Sequence, residues 1–343
     1  MDIQTEEPSR LNMENHSSVN ISQPNQVLEY LRKWGGSTSD AILDPATQTF
    51  SLPAIQGLIG YRIKAGCAIV FGEPVCAPSA LPTLVPAFHL YCRQNGWPVI
   101  YIIASKNFAD WALQYVCKAK IEFGEEICID PHSDPRSHEG VNGSLVRRKV
   151  RHALKEGMTV QEYTTPDPKL EKAIEEVGVA WLKGRRGPQF HISHIHLFEN
   201  RPGKRWFYAR QNDQITGVAI LNQLQAKNGW LLNHLMFKPT ASHGTPELLV
   251  VTVLEALSKE NCSYVTFGAV PSRHLGEIVG LSPFAAWIAR QTYNAVRGIF
   301  HLDGRKKFWE KFHPSSQTSY VLFSEPKIGF REITALLKAL NAL

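Results

Sequence analysis

The chain opens on a polar stretch. Residues 1 to about 24 are rich in Glu, Ser, Asn and Gln and poor in apolar side chains, so a disordered tail is expected there. From Gln26 the apolar positions Val27, Leu28 and Leu31 fall three and four apart, the spacing of a helix. Leu58–Ile63 and Cys67–Gly72 read as two strands joined by a turn at Lys64-Ala65-Gly66. Leu81–Asn95 has helical spacing with Gly96 as its stop, and Pro98–Ile103 is a buried strand. A helix over Asn107–Cys117, a strand over Ile127–Asp130 and a polar connection over 131–143 follow. A helix from Ser144 to Glu156 ends at Gly157.

The second half repeats this alternation. Lys169–Leu182 predicts a helix. Trp206–Arg210 and Ile215–Leu224 predict strands around an Asn212-Asp213 turn, and Gly229–Phe237 predicts another. Pro246–Lys259 is helical, Tyr264–Gly268 and Tyr320–Phe323 are strands, and Ile328–Leu343 is an amphipathic helix. The pattern predicts an α/β (α+β) protein: a tail over 1–24, a lobe over 25–165, and a lobe over 166–343 that carries the terminal amphipathic helix.

Composition narrows the picture. With 343 residues and 43% hydrophobic content the chain can build a substantial core. The net charge of +6 permits an anionic partner, and its clustering matters more than its total. The six cysteines form no CxxC pair and sit in apolar runs, as in Gly66-Cys67-Ala68, so buried reduced thiols in a cytosolic compartment are expected. The N-terminus lacks a signal pattern, and no apolar run reaches the ~18 residues of a membrane span, so a soluble or peripheral protein is expected.

Five segments carry candidate chemistry. Arg147, Arg148, Arg151 and Lys155 share one face of the basic helix, while Leu145, Val150 and Leu154 can face the core; a concentrated basic face suits a phosphate backbone. In Asp303–Pro314, basic residues interleave with Phe308, Trp309 and Phe312. The aromatics can stack on bases, or dock inward with the lysines outward. The turn Ser242–Glu247, with Gly244, Thr245 and Pro246, opens a helix whose first N–H groups could hold an anion; its single glycine is a weak match to a coenzyme A loop. His191, His194 and His196 invite a zinc reading, but without a nearby Cys they read better as loop histidines, and no metal is expected. The C-terminal helix reads first as packed on the second lobe, and second as a membrane-surface helix.

Taken in order, several segments resemble the phosphatidylglycerol lysyltransferase C-terminal domain family. They are Ile59-Gly60-Tyr61-Arg62, Gly72-Glu73-Pro74-Val75, Asn95-Gly96-Trp97, Gly124–Asp130, the basic helix after Gly143, Trp181-Leu182, Gly268–Pro271 and Gly304–Pro314. The resemblance spans about residues 50 to 325. It implies tandem GNAT-like acyltransferase lobes, each a mixed, mostly antiparallel sheet flanked by helices. It also implies transesterification: the hydroxyl of a phosphatidylglycerol-like lipid attacks the ester of an aminoacyl-tRNA. The tRNA is then a co-substrate and no further cofactor is expected. The partners are aminoacyl-tRNA and an anionic lipid or membrane surface, with no stable protein partner, at the cytoplasmic side of the membrane.

On this reading His234, Arg305, Lys307 and Lys311 form the expected catalytic set. Arg147, Arg148, Arg151, Lys155, Gly244, Thr245 and Lys306 form the expected phosphate- and substrate-binding set. Glu125 and Asp130 fit structural and functional roles equally. One departure from the family lies on a strand: lysyltransferase members carry Asp-Leu-Met-Arg where this chain has His234-Leu235-Met236-Phe237. The Asp would pair with a cationic amino acid and the Arg would act at the reacting centre. Two other readings stand beside this one: an acyl-CoA-dependent N-acyltransferase on the same fold, and a non-catalytic module that binds RNA or membranes.

Overall fold

The computed structural model describes residues 24–184, 196–300 and 303–339, without the side chains of 296–306. The expected tail up to residue 23 and the histidines at 191 and 194 lie outside these residues. The first half contains α1 (Pro24–Trp34), β1 (Gln48–Phe50), β2 (Gly57–Lys64), β3 (Cys67–Phe71), β4 (Val75–Cys76), α2 (Leu81–Gln94), β5 (Val99–Ser105), α3 (Lys106–Tyr115), β6 (Ala119–Ile129) and α4 (Gly140–Lys155). The second contains β7 (Thr159–Glu162), α5 (Pro168–Lys183), β8 (Lys204–Gln211), β9 (Gln214–Leu224), β10 (Gly229–Phe237), α6 (Thr245–Lys259), β11 (Tyr264–Pro271), β12 (Ile278–Val279), α7 (Pro283–Phe300), α8 (Asp303–Glu310), β13 (Ser315–Phe323) and α9 (Phe330–Ala339).

Local chemistry sets these boundaries. Ala65 and Gly66 both take positive φ, so β2 and β3 join through a two-residue hairpin with Lys64 opposite Cys67. Asn212 and Asp213 do the same between β8 and β9. Gly96, at φ 70°, ends α2, and the Trp97 N–H returns to the Cys92 carbonyl at 2.9 Å. Asp167 caps α5 by accepting from the N–H groups of Lys169 and Leu170, with Pro168 in the first turn.

The fold is mixed α/β. Its main sheet runs β1-β2-β3-β5-β13-β6-β11-β10-β9-β8-β7. Among the described residues only β3·β5 and β10·β11 pair in parallel; the other neighbours are antiparallel. β13 is long, and it lies between β5 and β6, so the last strand of the chain is built into the first half. The sequence showed only its apolar end, because Ser315–Ser319 is polar. Two apolar clusters cover opposite faces of β13: Tyr320 and Leu322 pack with α2 and α3 residues such as Phe88 and Phe108, while Val321 and Phe323 pack with Ala335 and Ala339 of α9. The C-terminal helix is therefore docked on the sheet. All six cysteines are buried free thiols, and burial pushes Cys92 and Cys117 up to about 12, which makes them unreactive.

α1 links the two halves. It touches β2 and β4 of the first half and β9 of the second. Its Arg32, buried, donates to Asp40 at 2.7 Å and to the Pro202 carbonyl at 3.0 Å, and Asp40 in turn accepts from the Asn222 amide.

His89 is buried on the inner face of α2, 3.0 Å from the Tyr101 hydroxyl, and burial, aided by Arg93, lowers its pKa to about 4. The unfolded chain takes up this proton near the ordinary pKa of about 6.5 and the fold does not. This contribution is complete above pH ~6.5 and is lost as the pH falls towards 4, by about 3 kcal/mol at most. Urea unfolding at pH 7 and pH 4.5 should show a smaller loss for His89→Gln than for the wild type. Equal losses would show that this histidine does not set the acid sensitivity.

Candidate active site

The parallel contact between β10 and β11 is short. Gly229, Trp230 and Leu231 pair with Tyr264, Val265 and Thr266, and there the ladder stops. β10 bulges against β9 between Leu232 and His234, leaving Asn233 as the extra residue. β11 shifts register against β6 between Thr266 and Ala269. There Gly268 takes a φ of 79° and its N–H donates to Thr266 Oγ1, while the Thr266 hydroxyl donates to the Ile127 carbonyl. Beyond these points β10 continues with β9 and β11 with β6, so the two central strands part into a wedge. A wedge in a sheet frees backbone groups that a substrate can pair with, the general reason such openings hold ligands.

His234 sits at the mouth of this wedge, next to the bulge. It lies opposite Ile220, a member of the cluster that packs beneath α5. The other face carries Leu232 and Phe267, in the cluster beneath α4, α6 and α8. Trp309 stacks flat on Phe267 with ring centres 3.8 Å apart, and Phe312 is fully buried beside it. The aromatics of the 303–314 segment thus dock inward and form part of the core, so they do not serve as stacking platforms for bases.

Lys311 does not stand on the surface. Its ammonium donates to Glu247 at 2.5 Å, lies 3.8 Å from the centre of the Phe308 ring, and the residue is buried. Burial lowers its pKa, Glu247 opposes that shift, and the cation of Lys149 on α4 adds to it. Glu247 belongs to the first turn of α6, where a carboxylate meets the positive end of the helix. The expected anion cradle at this turn is therefore filled from inside. A side chain added at Gly244 would collide with the Lys149 carbonyl, Thr245 is wholly buried, and its hydroxyl donates to the Ser242 carbonyl.

The basic helix divides its residues. Gly143, Val146, Val150 and Ala153 face the core. Leu154 does not, being 54% exposed: it is four residues from Val150, but the buried stripe runs through Ala153. Arg147 turns inward and donates to the carbonyls of Arg136 and His138 at 2.5 and 2.9 Å, so it fixes the preceding loop. Arg148, Arg151 and Lys155 are exposed, and none is in an ion pair among the described residues. His152 ties the helix to the α6 turn, 3.1 Å from the His243 carbonyl.

Comparison with known proteins places this geometry. The profile described as phosphatidylglycerol lysyltransferase, C-terminal, matches residues 31–323. The chain belongs to this family. It is 27% identical over 212 residues, 58% of its own length, to the lysylphosphatidylglycerol biosynthesis bifunctional protein LysX of Mycobacterium sp. (strain JLS), of which it covers 19%. It is 17% identical over 331 residues, 94% of the chain, to the phosphatidylglycerol lysyltransferase of Staphylococcus aureus (strain MRSA252), of which it covers 38%. The chain thus spans about a fifth to two fifths of these curated relatives. The solved structure of L-PGS from Bacillus licheniformis shares its fold, with a TM-score of 0.76, 16% identity, and 94% and 97% of the two chains covered. So does the C-terminal domain of a putative lysylphosphatidylglycerol synthetase from Agrobacterium fabrum, at 0.74, 17%, 93% and 95%.

Within this family fold the predicted residues do not form one cluster. His234 lies on the α5 face, while Gly244, Thr245 and Lys311 lie on the α6 face. Lys307 is exposed on α8, and Arg305 and Lys306 belong to that helix by their backbone, with side chains outside the described residues. Asp130 closes a loop turn by accepting from the His132 N–H at 2.9 Å, which with the His132 ring holds its carboxyl below the usual range. Glu125 lines a separate cleft of about 260 Å³ with Glu310 and His313. Sequence reasoning gave no role to Glu247 or Lys149. An acidic residue in the first turn after Pro246 was the available signal for Glu247; nothing local marked Lys149.

Both members of the Lys311–Glu247 pair are nearly dry, at 10% and 6% side-chain exposure. Glu247→Leu alone should destabilise the fold by about 3–5 kcal/mol by stranding the ammonium, whereas Glu247→Leu combined with Lys311→Met should recover most of that loss. Denaturant midpoints of the two singles and the double measure it. Additive losses in the double variant would show that the two groups are not coupled.

Proposed function

We propose that this chain is an aminoacyltransferase that moves the aminoacyl group of a charged tRNA to a hydroxyl of a lipid. The observation that carries the reading is the exposed basic face of Arg148, Arg151 and Lys155, in no ion pair among the described residues, on a helix fastened through His152 and Lys149 to the start of α6 beside the wedge. Family membership over residues 31–323 and the names of the relatives support the lipid acceptor. In the reaction the lipid hydroxyl oxygen attacks the ester carbonyl carbon, and the tetrahedral oxyanion collapses to expel the terminal ribose oxygen of the tRNA. His234 takes the proton of the attacking hydroxyl and returns it to the leaving ribose oxygen. Lys307 contributes positive charge at the approach.

The amino acid is not lysine on this reading. His234 and Phe237 stand where lysyltransferase members carry Asp and Arg, so a second cationic group meets no carboxylate on this strand. An uncharged side chain fits better. The acyl-CoA alternative is disfavoured by the filled turn at Gly244, which leaves no cradle for a pyrophosphate.

The test is transfer of label from individual aminoacyl-tRNAs into phosphatidylglycerol by the purified chain. Label should enter lipid from a tRNA charged with an uncharged amino acid, and His234→Ala should slow it by about 10²–10⁴-fold with tRNA affinity unchanged. The triple variant Arg148→Ala/Arg151→Ala/Lys155→Ala should bind tRNA more weakly and lower the log–log salt slope by about 2–3. Absence of transfer with every aminoacyl-tRNA would overturn the reading, and so would an unaltered salt slope for the part assigned to α4.

A further inference from the structure

Four large side chains that stand exposed gather at one end of the sheet. Tyr115 closes α3, Phe284 and Trp287 lie one turn apart near the start of α7, and Phe330 opens α9, at 60%, 70%, 56% and 86% exposure. Backbone contacts place them together. The Lys118 N–H donates to Phe323 O, and Ser324 and Val99 exchange hydrogen bonds, so the α3–β6, β13–α9 and α2–β5 connections are neighbours. Arg331 reaches the carbonyls of Ala65 and Gly96, bringing the start of α9 to the β2–β3 hairpin. Gly280, just before α7, lies against the Lys118 carbonyl. The connections border the ends of β3, β5, β13 and β6, three strand spacings or about 14 Å across.

The charge on this end has one sign in excess. Arg93, Lys118, Lys327 and Arg331 are exposed there, against Glu325 and the half-buried Glu332. α7 contains no acidic residue in its 18. Phe284 and Trp287 stack on each other in the open, with centres 6.2 Å apart, while Ala289 and Tyr293 of the same helix pack on the sheet. Aromatic tips in water ringed by arginine and lysine suit the headgroup layer of an anionic bilayer, where rings enter the boundary and cations meet phosphate.

We propose that this end, formed by the starts of α7 and α9 and the α3–β6 connection, docks the protein on an anionic phospholipid surface. The inference deepens the reading that the acceptor is a lipid and assigns the surface that meets the lipid phase.

The test is sedimentation of the full chain with vesicles of phosphatidylglycerol and phosphatidylcholine, and with phosphatidylcholine alone, without tRNA. The wild type should bind the anionic vesicles, and the variant Phe284→Ser/Trp287→Ser/Phe330→Ser should bind at least about tenfold more weakly. Its unchanged thermal unfolding would show that the fold is intact, and Val179→Ser, an exposed site on α5, should bind as the wild type does. Lipids brominated on the acyl chain should quench the wild type's tryptophan fluorescence more than that of Trp287→Phe. Equal sedimentation of wild type and triple variant would overturn the proposal. So would a wild-type dimer that the triple substitution converts to monomer with vesicle binding unaltered, since the ridge would then meet a second copy. Vesicle binding lost in the triple variant while no aminoacyl-tRNA supports transfer would sink the proposed function and leave this surface standing; transfer to a soluble short-chain lipid with equal vesicle binding would do the reverse.

Discussion

The pairing of Lys311 with Glu247 is the constraint on which the arrangement around the wedge depends. Two opposite charges meet almost out of water, a contact whose desolvation cost is met only because each has the other and the ammonium also lies against the Phe308 ring. What the pair fixes is position. It fastens the residue after α8 to the first turn of α6, and the same turn is fastened to α4 by the close approach of Gly244 to Lys149. With that corner set, Trp309 lies flat on Phe267 at the edge of the wedge, and the chain leaves through His313 and Pro314 into β13. β13 then runs between β5 and β6, so the same corner governs how the last strand enters the first half.

This corner also explains why the expected phosphate ligands separate. A lysine spent on a buried carboxylate cannot also hold a phosphate, and a helix start already met by Glu247 has little field left for an external anion. Near this corner, positive charge that remains available lies on the outer face of α4 and at the exposed Lys307 of α8. His234 stands across the sheet from the ion pair, at the bulge where β10 leaves β11.

Much of the fold was legible in the sequence. The hairpin at Ala65-Gly66 and the Asn212-Asp213 turn were readable because two-residue turns with positive φ demand such residues. The helices α1 to α6 showed their apolar spacing, and the segment order from Ile59 to Pro314 carried the family. α7 was missed, since Phe284, Trp287 and Ile288 sit among small residues that blur the stripe, and its aromatic side is exposed where burial would be expected. β7 and the first half of β13 were missed because they are polar and pair on the backbone alone. Of the candidate site, the helix that exposes Arg148, Arg151 and Lys155 and the strand that carries His234 were legible. The inward turns of Arg147 and Lys311 were not, because nothing local to a lysine says whether a carboxylate 64 residues away will reach it.

On the proposed function the donor meets the basic face of α4 and the lipid meets the exposed aromatic ridge of α7 and α9. Photocrosslinking with a tRNA carrying a reactive base in its acceptor stem, followed by peptide mapping, tests this placement directly. Adducts should fall on the peptide that contains Arg148, Arg151 and Lys155 and be absent from α7 and α9. Adducts concentrated on Phe284–Trp287 or Phe330–Lys338 would contradict the account, because the tRNA would then occupy the surface assigned to the membrane.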